Sequence, residues 1–224
     1  KNFIIRSIEY ISSYIEALKI CEDEGFPDFI STSEEIEENP EEFIKKINLL
    51  DSSSCIQVKD FISPSKRFWL VDIEKKEYIG HISIRYNLNN DYMKKFGGHI
   101  GYMVNPKYRK QGYGSQLLKY ALEIARKISL EEVLITCNEN NIGSKKIIEK
   151  HNGKFIDKIY NDKENINKLR YRIVLNESAH KLWKKFLIKN ENVDEFSYII
   201  WSFGVTPDNL LDLVLTKKKT ACSS

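Results

Sequence analysis

The arrangement of the chain is decided by one stretch, Val104-Asn105-Pro106-Lys107-Tyr108-Arg109-Lys110-Gln111-Gly112-Tyr113-Gly114-Ser115-Gln116-Leu117-Leu118. It begins with the end of a strand that is predicted over His99 to Val104 and that Asn105-Pro106 stops. It ends with the start of a helix, because apolar residues recur at helical spacing from Ser115 to Ile128. The sequence therefore predicts a strand, a short glycine-containing loop and a helix in direct succession.

The loop from Arg109 to Gly114 has the composition of an anion site. Main-chain amides and the positive end of the following helix converge at such a position. Gly112 and Gly114 carry no Cβ atoms to obstruct a close approach, while Arg109 and Lys110 add positive charge. A pyrophosphate is the natural occupant. Considered without its surroundings, the glycine pair beside basic residues is more typical of an ordinary solvated turn.

Strands and helices are predicted on both sides of this unit. Upstream they are a strand over Asn2 to Arg6, a helix from Ile8 to Ile20, a helix start capped by Thr32 or Ser33, a helix over Glu41 to Leu50, and a hairpin of Arg67 to Ile73 with Tyr78 to Arg85. Downstream they are a strand over Val133 to Cys137, a helix over Gly143 to Lys150, and strands over Lys154 to Tyr160 and Leu169 to Leu175. This order predicts an α/β (α+β) domain over residues 1–175, with a mixed, mostly antiparallel sheet flanked by helices.

A second motif follows the helix, Asn141-Ile142-Gly143-Ser144-Lys145-Lys146-Ile147-Ile148-Glu149-Lys150-His151-Asn152-Gly153-Lys154-Phe155. Together with the gapless run from Val104 to Leu118, it resembles the coenzyme A-binding signature of the GNAT acetyltransferases. The resemblance implies that the end of the strand binds pantetheine and that the loop amides bind the pyrophosphate of acetyl-CoA. The cofactor-binding residues expected from it are Met103, Val104, Arg109, Lys110, Gln111, Gly112, Tyr113, Gly114, Asn141 and Ser144. For Asn141, a helix N-cap is an equally good interpretation.

The mechanism that this resemblance implies is direct attack of a neutral amine on the thioester, whose carbonyl is polarised by a strand amide near Met103 or Val104. Family members often carry a tyrosine that protonates the departing thiolate, but Ile148 occupies the matching position here. The candidate proton donors in its place are water, Tyr102 and another phenol, and for Tyr102 a packed strand residue is the alternative.

Imidazole titrates near neutral pH, so the candidate bases for the amine are His99 and His81 on neighbouring strands; a structural role is the alternative for both. Asp23 and Glu24, after the first helix, are candidates for attracting a cationic amine, or members of a solvated loop.

The composition argues against nucleic-acid binding, metal binding and a membrane location. The 35 basic and 32 acidic residues give a net charge of +3, a mixed surface unlike that of a dedicated nucleic-acid binder. The four cysteines have no metal-ligand or disulfide spacing, and no apolar run is long enough to cross a membrane, so we expect no metal, no membrane and a cytoplasmic location. The family resemblance implies a bacterial enzyme whose acetyl acceptor is the amine of a small molecule. A homodimer is one assembly that the sequence allows.

Residues 176–224 change character, with three predicted short helices at Ala179 to Lys189, Val193 to Phe203 and Asn209 to Thr216. Trp183, Trp201 and the run Lys217 to Ala221 resemble the beginning of an ASCH domain, a fold related to RNA-binding PUA domains. Cys222 stands where that family has a second threonine, so hydrolytic activity is not expected. Two alternatives to acetyl transfer stay open: a catalytically silent coenzyme A-binding module, and an RNA-associated protein acting through this tail.

Overall fold

The computed structural model describes residues 1–26, 30–52, 65–88 and 90–175, and the described part between Lys1 and Ile173 forms one compact unit. Its strands are β1 (Asn2–Ile4), β2 (Ser65–Asp72), β3 (Glu77–Arg85), β4 (Ile100–Val104), β5 (Glu132–Asn138), β6 (Lys154–Asn161) and β7 (Ile166–Val174). Its helices are α1 (Ile11–Asp23), α2 (Ser33–Glu38), α3 (Pro40–Ser52), α4 (Tyr113–Lys127) and α5 (Ile142–Lys150). Antiparallel sheets flanked by helices confirm the predicted fold class.

The strands form two sheets rather than the single mixed sheet that the sequence predicts. One has the order β1-β2-β3-β4 and is antiparallel throughout, and the other has the order β5-β7-β6. The residue just before β4, His99, contacts β5. Its amide donates to the carbonyl of Leu134 at 2.8 Å, and the amide of Leu134 donates to His99 Nδ1 at 2.9 Å. In the described residues no ladder pairing continues beyond this point, so a gap separates β4 from β5.

Helices cover the first sheet on both faces. On one face, the apolar side of α4 packs on β3 and β4 through fully buried residues such as Leu117 and Leu118. On the other face, Tyr14 of α1 stacks on Trp69 of β2 at 4.7 Å between ring centroids and meets Tyr78 of β3 edge-on at 5.1 Å. Aromatic pairs of this geometry each add roughly 0.5–1.5 kcal/mol to the stability that burial provides. These contacts fix β3 and β4 as the rigid base of the site.

The first strand is shorter than the sequence predicts. It ends at Ile4, and Ser7 caps a 3-10 turn at Ile8–Tyr10 that leads into α1. The cause is the side chain of Arg6, which is 4 % exposed and donates from Nη2 to the carbonyl of Ile47 at 2.9 Å and to Asn48 Oδ1 at 2.9 Å. Because these bonds tie Arg6 to α3, the backbone leaves the sheet before this residue.

The segment after α1 begins as predicted. Thr32 is the N-cap of α2, and its hydroxyl and the carboxylate of Glu35 exchange hydrogen bonds with each other's main-chain amides, which is a complete capping box. A π-helical turn at Met93–Gly97, which the sequence analysis does not predict, precedes β4. The predicted tail, residues 176–224, lies outside the described residues, and its separation from residues 1–175 stays a prediction.

Candidate active site

Gly112 is the N-cap of α4 and has φ of +87°, a conformation that favours glycine. The helical hydrogen bonds begin with those that Ser115 and Gln116 donate to the carbonyl of Gly112. The amides of Gly112, Tyr113 and Gly114 precede these bonds, and such amides have no acceptor within a helix. A Cβ built on Gly112 would meet nothing within 4 Å, so the surface in front of these amides is open. The loop thus has the geometry of an anion site.

A cleft of ≈ 950 Å³, here called the helix-start cleft, opens in front of this loop. It is lined by eight of the ten predicted cofactor-binding residues: Met103, Val104, Arg109, Lys110, Gly112, Gly114, Asn141 and Ser144. The side chains of Gln111 and Tyr113 are directed elsewhere. Gln111 Nε2 donates to the carbonyl of Lys107 at 3.3 Å, and Tyr113 packs edge-on against Tyr108. Any contact of these two residues with a ligand would therefore come from their main chain.

Gly114 has a packing role that the sequence analysis does not anticipate. A Cβ at this position would lie 2.7 Å from Cδ1 of Ile147 and 3.5 Å from Cγ2 of Val104. The missing side chain therefore lets α4 approach α5 and the end of β4, and this approach shapes the cleft. Only Gly112 of the pair faces open space.

Two lysines on α5 line the helix-start cleft and were missed by the sequence analysis. Lys146 and Lys150 are one turn apart and exposed, and they join Lys110 and Arg109 around the opening. Their i, i+4 spacing on a predicted helix is a signal that could have identified them. Together the three lysines give this cleft a positive rim.

Arg109 is paired with the carboxylate of Glu24, at 2.8 Å and 2.6 Å from its two oxygens. Its Nη2 also lies 3.7 Å from the sulfur of Cys21, a buried residue whose thiol pKa is raised by burial and lowered in part by the charge of Arg109. Glu24 was predicted as a possible attractor of a cationic amine. In the structure it neutralises Arg109 at the rim of the cleft, while Asp23 ends α1 and is exposed.

Asn141 caps α5, since its Oδ1 accepts a hydrogen bond from the amide of Ser144 at 2.9 Å. The N-cap interpretation is thereby confirmed, and the residue lines the helix-start cleft as well. The hydroxyl of Ser144 lies 2.9 Å from the phenol oxygen of Tyr102. Burial raises the pKa of Tyr102 to about 12, so the phenol is protonated at neutral pH. Ile148, one turn further along α5, is fully buried and belongs to the core.

A second cleft of ≈ 360 Å³, here called the sheet cleft, lies over the face of β2, β3 and β4 that carries Trp69 and His81. It reaches the gap between the two sheets, where it is lined by Met103 of β4 and by Thr136 and Cys137 of β5. Tyr102, Met103, Asn141 and Ser144 line both clefts. The two clefts therefore meet at the end of β4, beside the gap.

The two predicted histidines occupy different surroundings. His81 lines the sheet cleft, pairs in register with Met103, and has its Nδ1 2.7 Å from the hydroxyl of Tyr78. His99 lines neither cleft; its ring accepts the amide hydrogen bond of Leu134, and burial together with the charge of Arg85 lowers its pKa. The structure thus brings Tyr102 and His81 to the meeting point of the clefts and does not bring His99 there.

Residues 22–153 match the model of the acetyltransferase (GNAT) family. The chain belongs to the GNAT acetyltransferase family. A sequence relative is the uncharacterized N-acetyltransferase YnaD of Bacillus subtilis (strain 168), which is 33% identical over 76 residues. That match spans 32% of this chain and 40% of the relative, so the chain covers less than half the length of this GNAT protein.

Solved structures share the GNAT fold at low sequence identity. The acetyltransferase YncA of Salmonella typhimurium, solved with its cofactor acetyl-CoA, has a TM-score of 0.52 at 11% identity, over 80% of this chain and 95% of that one. A spermidine N-acetyltransferase SpeG variant from Vibrio cholerae has a TM-score of 0.55 at 10% identity, over 79% and 96% of the two chains. At such identities the likeness concerns the fold alone.

The described parts of this GNAT chain hold no cluster of three or more His, Cys, Asp or Glu side chains arranged for a metal ion. Within the same residues, no helix combines the length and the apolar character needed to span a membrane.

Proposed function

We propose that the protein is an acetyl-CoA-dependent N-acetyltransferase that acts on a primary amine of a small molecule. One observation carries the proposal: a cleft in front of the unpaired amides of a glycine-capped helix meets a second cleft at the end of β4. The first provides a place for a diphosphate and the second a place for an acceptor. The meeting point lies beside Tyr102 and Met103, where the two substrates would come together.

The residues of the helix-start cleft fit acetyl-CoA. The open space in front of Gly112 and the amides up to Gly114 suit the pyrophosphate, and Lys110, Lys146 and Lys150 supply positive charge around it. The gap between β4 and β5 is the expected path of the pantetheine. Acetyl-CoA would supply the acetyl group as a thioester. Lys146 and Lys150 extend the set of cofactor-binding residues predicted from the sequence.

The pairing of β3 with β4 indicates which amide polarises the thioester carbonyl. The amide of Asn105 donates to Ile79 and the carbonyl of His99 accepts from Arg85, so the odd-numbered residues of β4 point their main-chain groups at β3. In an antiparallel ladder these groups alternate in direction. The amides of Tyr102 and Val104 therefore point away from β3, towards the gap. Of the two residues predicted, Val104 is the better candidate, because it lies nearer to the loop and to the diphosphate site.

Proton transfers are assigned to the two groups at the meeting point. His81 takes a proton from the amine before or during its attack on the thioester carbonyl. Tyr102 then donates its phenolic hydrogen to the departing sulfur, in the role that the residue at position 148 cannot fill because it is isoleucine. The hydroxyl of Ser144 holds the phenol of Tyr102 in position.

The function is tested by calorimetry with acetyl-CoA and by release of free thiol with a panel of primary amines. We expect acetyl-CoA to bind and at least one amine to release thiol in stoichiometric amounts with its acetylated product. Binding without turnover of any amine would favour a catalytically silent coenzyme A-binding module. Absence of binding would overturn the proposal altogether.

The predictions from the sequence about the acceptor, the location, the assembly and the tail stay proposals. The SpeG relative is a spermidine N-acetyltransferase, and a small amine is likewise proposed here. A cytoplasmic location, a homodimer and an ASCH-like segment over residues 176–224 rest on the sequence alone. Salt-dependent RNA binding that is lost when residues 176–224 are deleted would favour the RNA-associated alternative.

A further inference from the structure

Arg85, at the end of β3, lines the sheet cleft with an incomplete set of hydrogen bonds. Its Nη1 donates to the carbonyl of Gly98 at 3.1 Å. Its Nε is buried and has no partner, and no carboxylate of the described residues forms an ion pair with this guanidinium. Nε and Nη2 form the edge of a guanidinium that binds a carboxylate through two parallel hydrogen bonds. In Arg85 this edge has no acceptor among the described residues.

A second buried polar atom without a partner lies directly across the strand. Ser65 of β2 pairs in register with Arg85, is fully buried, and its hydroxyl has no hydrogen-bond partner. Cross-strand pairs place their side chains on the same face of a sheet. Two unsatisfied polar groups at one place need an explanation, because a buried polar group without a partner destabilises the fold. A bound acceptor atom would satisfy Arg85 and relieve part of this destabilisation.

The surroundings of Arg85 are positively charged. Arg67 lines the same cleft, and burial together with the charge of Arg67 lowers the pKa of Arg85 to about 10, which leaves Arg85 charged at neutral pH. Among the described residues that line the cleft, Glu164 is the one acidic side chain, and it pairs with Lys168 rather than with Arg85. The guanidinium of Arg85 therefore attracts an anion and repels a polycation.

We propose that the sheet cleft binds a carboxylate carried by the acceptor, with Arg85 as its recognition residue. The acceptor class is therefore an amino carboxylate rather than a polyamine. This inference rests on the proposed acetyl transfer and names the substrate class of the same site.

The spacing along β3 sets the size of the acceptor. His81, beside the meeting point of the clefts, is four residues from Arg85 on the same face of the strand, and Arg67 pairs with Ser83 between them. At about 3.3 Å per residue, the two ends of this row are about 13 Å apart along the backbone. Since arginine side chains are long, molecules from the size of an amino acid to that of a dipeptide fit between them.

The test compares linear ω-amino carboxylates of increasing length with their amides and with diamines of equal length. In the wild-type protein we expect the carboxylates to have the highest kcat/KM. Arg85→Gln should lower their kcat/KM about 30-fold or more, chiefly through KM, because one partner of a buried charge pair is lost. The amides should change little. Arg172→Gln, which removes an exposed guanidinium outside the cleft, should behave as the wild type.

Thermal unfolding distinguishes a role of Arg85 in binding the carboxylate from a role in stabilising the fold. Removal of an unpaired buried charge should leave the melting temperature of the free protein unchanged or raise it. A lower melting temperature with equal loss for carboxylates and amides would overturn the inference. So would amides or diamines that match the carboxylates in the wild type, or a phosphonate analogue that binds tenfold better than the carboxylate.

Binding measurements test the carboxylate site even if no acetyl transfer is detected. Calorimetry of the amino carboxylates with the coenzyme A-bound protein, and with the protein alone, should show binding that Arg85→Gln abolishes. If thiol is never released but this binding is present, the proposed function fails and the carboxylate site stands. If other amines are acetylated but no carboxylate binds, the function stands and the carboxylate site is refuted.

Discussion

The phenol oxygen of Tyr102 lies 2.9 Å from the hydroxyl oxygen of Ser144, and this contact joins the end of β4 to the first turn of α5. Both residues line the two clefts. In the proposed mechanism the acid would therefore come from β4, although the family pattern implies a tyrosine on α5.

Tyr102→Phe should lower kcat about 10²-fold or more, which is the usual contribution of a positioned acid, and leave the affinity for acetyl-CoA nearly unchanged. Stopped-flow measurement of thiol release and calorimetry give the two quantities. Ser144→Ala is the matched control that keeps the phenol and loses only its hydrogen-bond partner, so its effect should be smaller. Because the pKa of Tyr102 is raised to about 12, kcat of the wild type should not fall between pH 8 and 10 through this group. Equal activity of the phenylalanine variant would remove Tyr102 from the mechanism.

Gly112→Glu should abolish binding of acetyl-CoA, because it places bulk and negative charge in front of the helix amides. Gly112→Ala is the control, since its Cβ would meet nothing within 4 Å and only the φ of +87° is unfavourable. We expect the alanine variant to lose about 1 kcal/mol of stability and to bind the cofactor nearly normally. Calorimetry and thermal unfolding measure both effects. A folded glutamate variant with wild-type affinity would contradict the loop assignment.

Gly114→Ala should destabilise the protein by about 1–3 kcal/mol, because the new methyl group overpacks the contact with Ile147. Urea unfolding gives the free energy directly. Ile147→Ala in the same chain should restore part of the loss, since it removes the atom that the methyl group would strike. Additive losses in the double variant would show that α4 and α5 are not in contact at this point.

Glu24→Gln should strengthen binding of acetyl-CoA a few-fold by releasing Arg109 for the diphosphate. The pair is partly exposed, and such ion pairs contribute only about 0–1 kcal/mol, so stability should barely change. The gain should be absent when Arg109 is also replaced by glutamine. Weaker binding in the single variant would mean that Glu24 itself helps to hold the ligand or the loop.

His81→Gln and His99→Gln should separate catalysis from stability. The first should lower kcat/KM, whereas the second should leave kcat/KM nearly unchanged. The pKa of His99 is lowered in the folded protein, so this histidine contributes stability above its unfolded pKa near 6.5 that is lost as the pH falls through the folded value. Thermal unfolding of His99→Gln should accordingly depend less on pH below 6.5. An unaltered kcat/KM for His81→Gln would refute its role as base.

The sequence predicts much of the fold because its elements are strongly patterned. The spacing of Leu117 and Leu118 within α4, the hairpin around Glu74 to Glu77 and the capping box at Thr32 all depend on neighbours along the chain. The glycine loop was predictable for the same reason. Local patterns could not show that β4 and β5 separate, because the separation depends on where the backbone turns after the π-helical segment and on the two hydrogen bonds between His99 and Leu134.

The less predictable part of the site consists of residues that are distant in sequence. Arg85 ends an ordinary strand pattern, and nothing in its neighbours indicates that its Nε is buried without a partner. The ion pair of Arg109 with Glu24 joins residues that are far apart in the sequence. The preference for His81 over His99 as the proposed base depends on the register of β3 on β4. Charge and distance decide such roles, and neither is visible in a linear motif.

The separation of β4 from β5 has one further consequence. A strand edge with unused amides and carbonyls is ready to accept another extended chain, and a pantetheine arm carries amide groups of its own. On binding, the coenzyme would therefore behave as a missing strand that fastens one sheet to the other. Amides on both edges should then exchange with deuterium far more slowly, so that the cosubstrate also acts as a structural component of the enzyme.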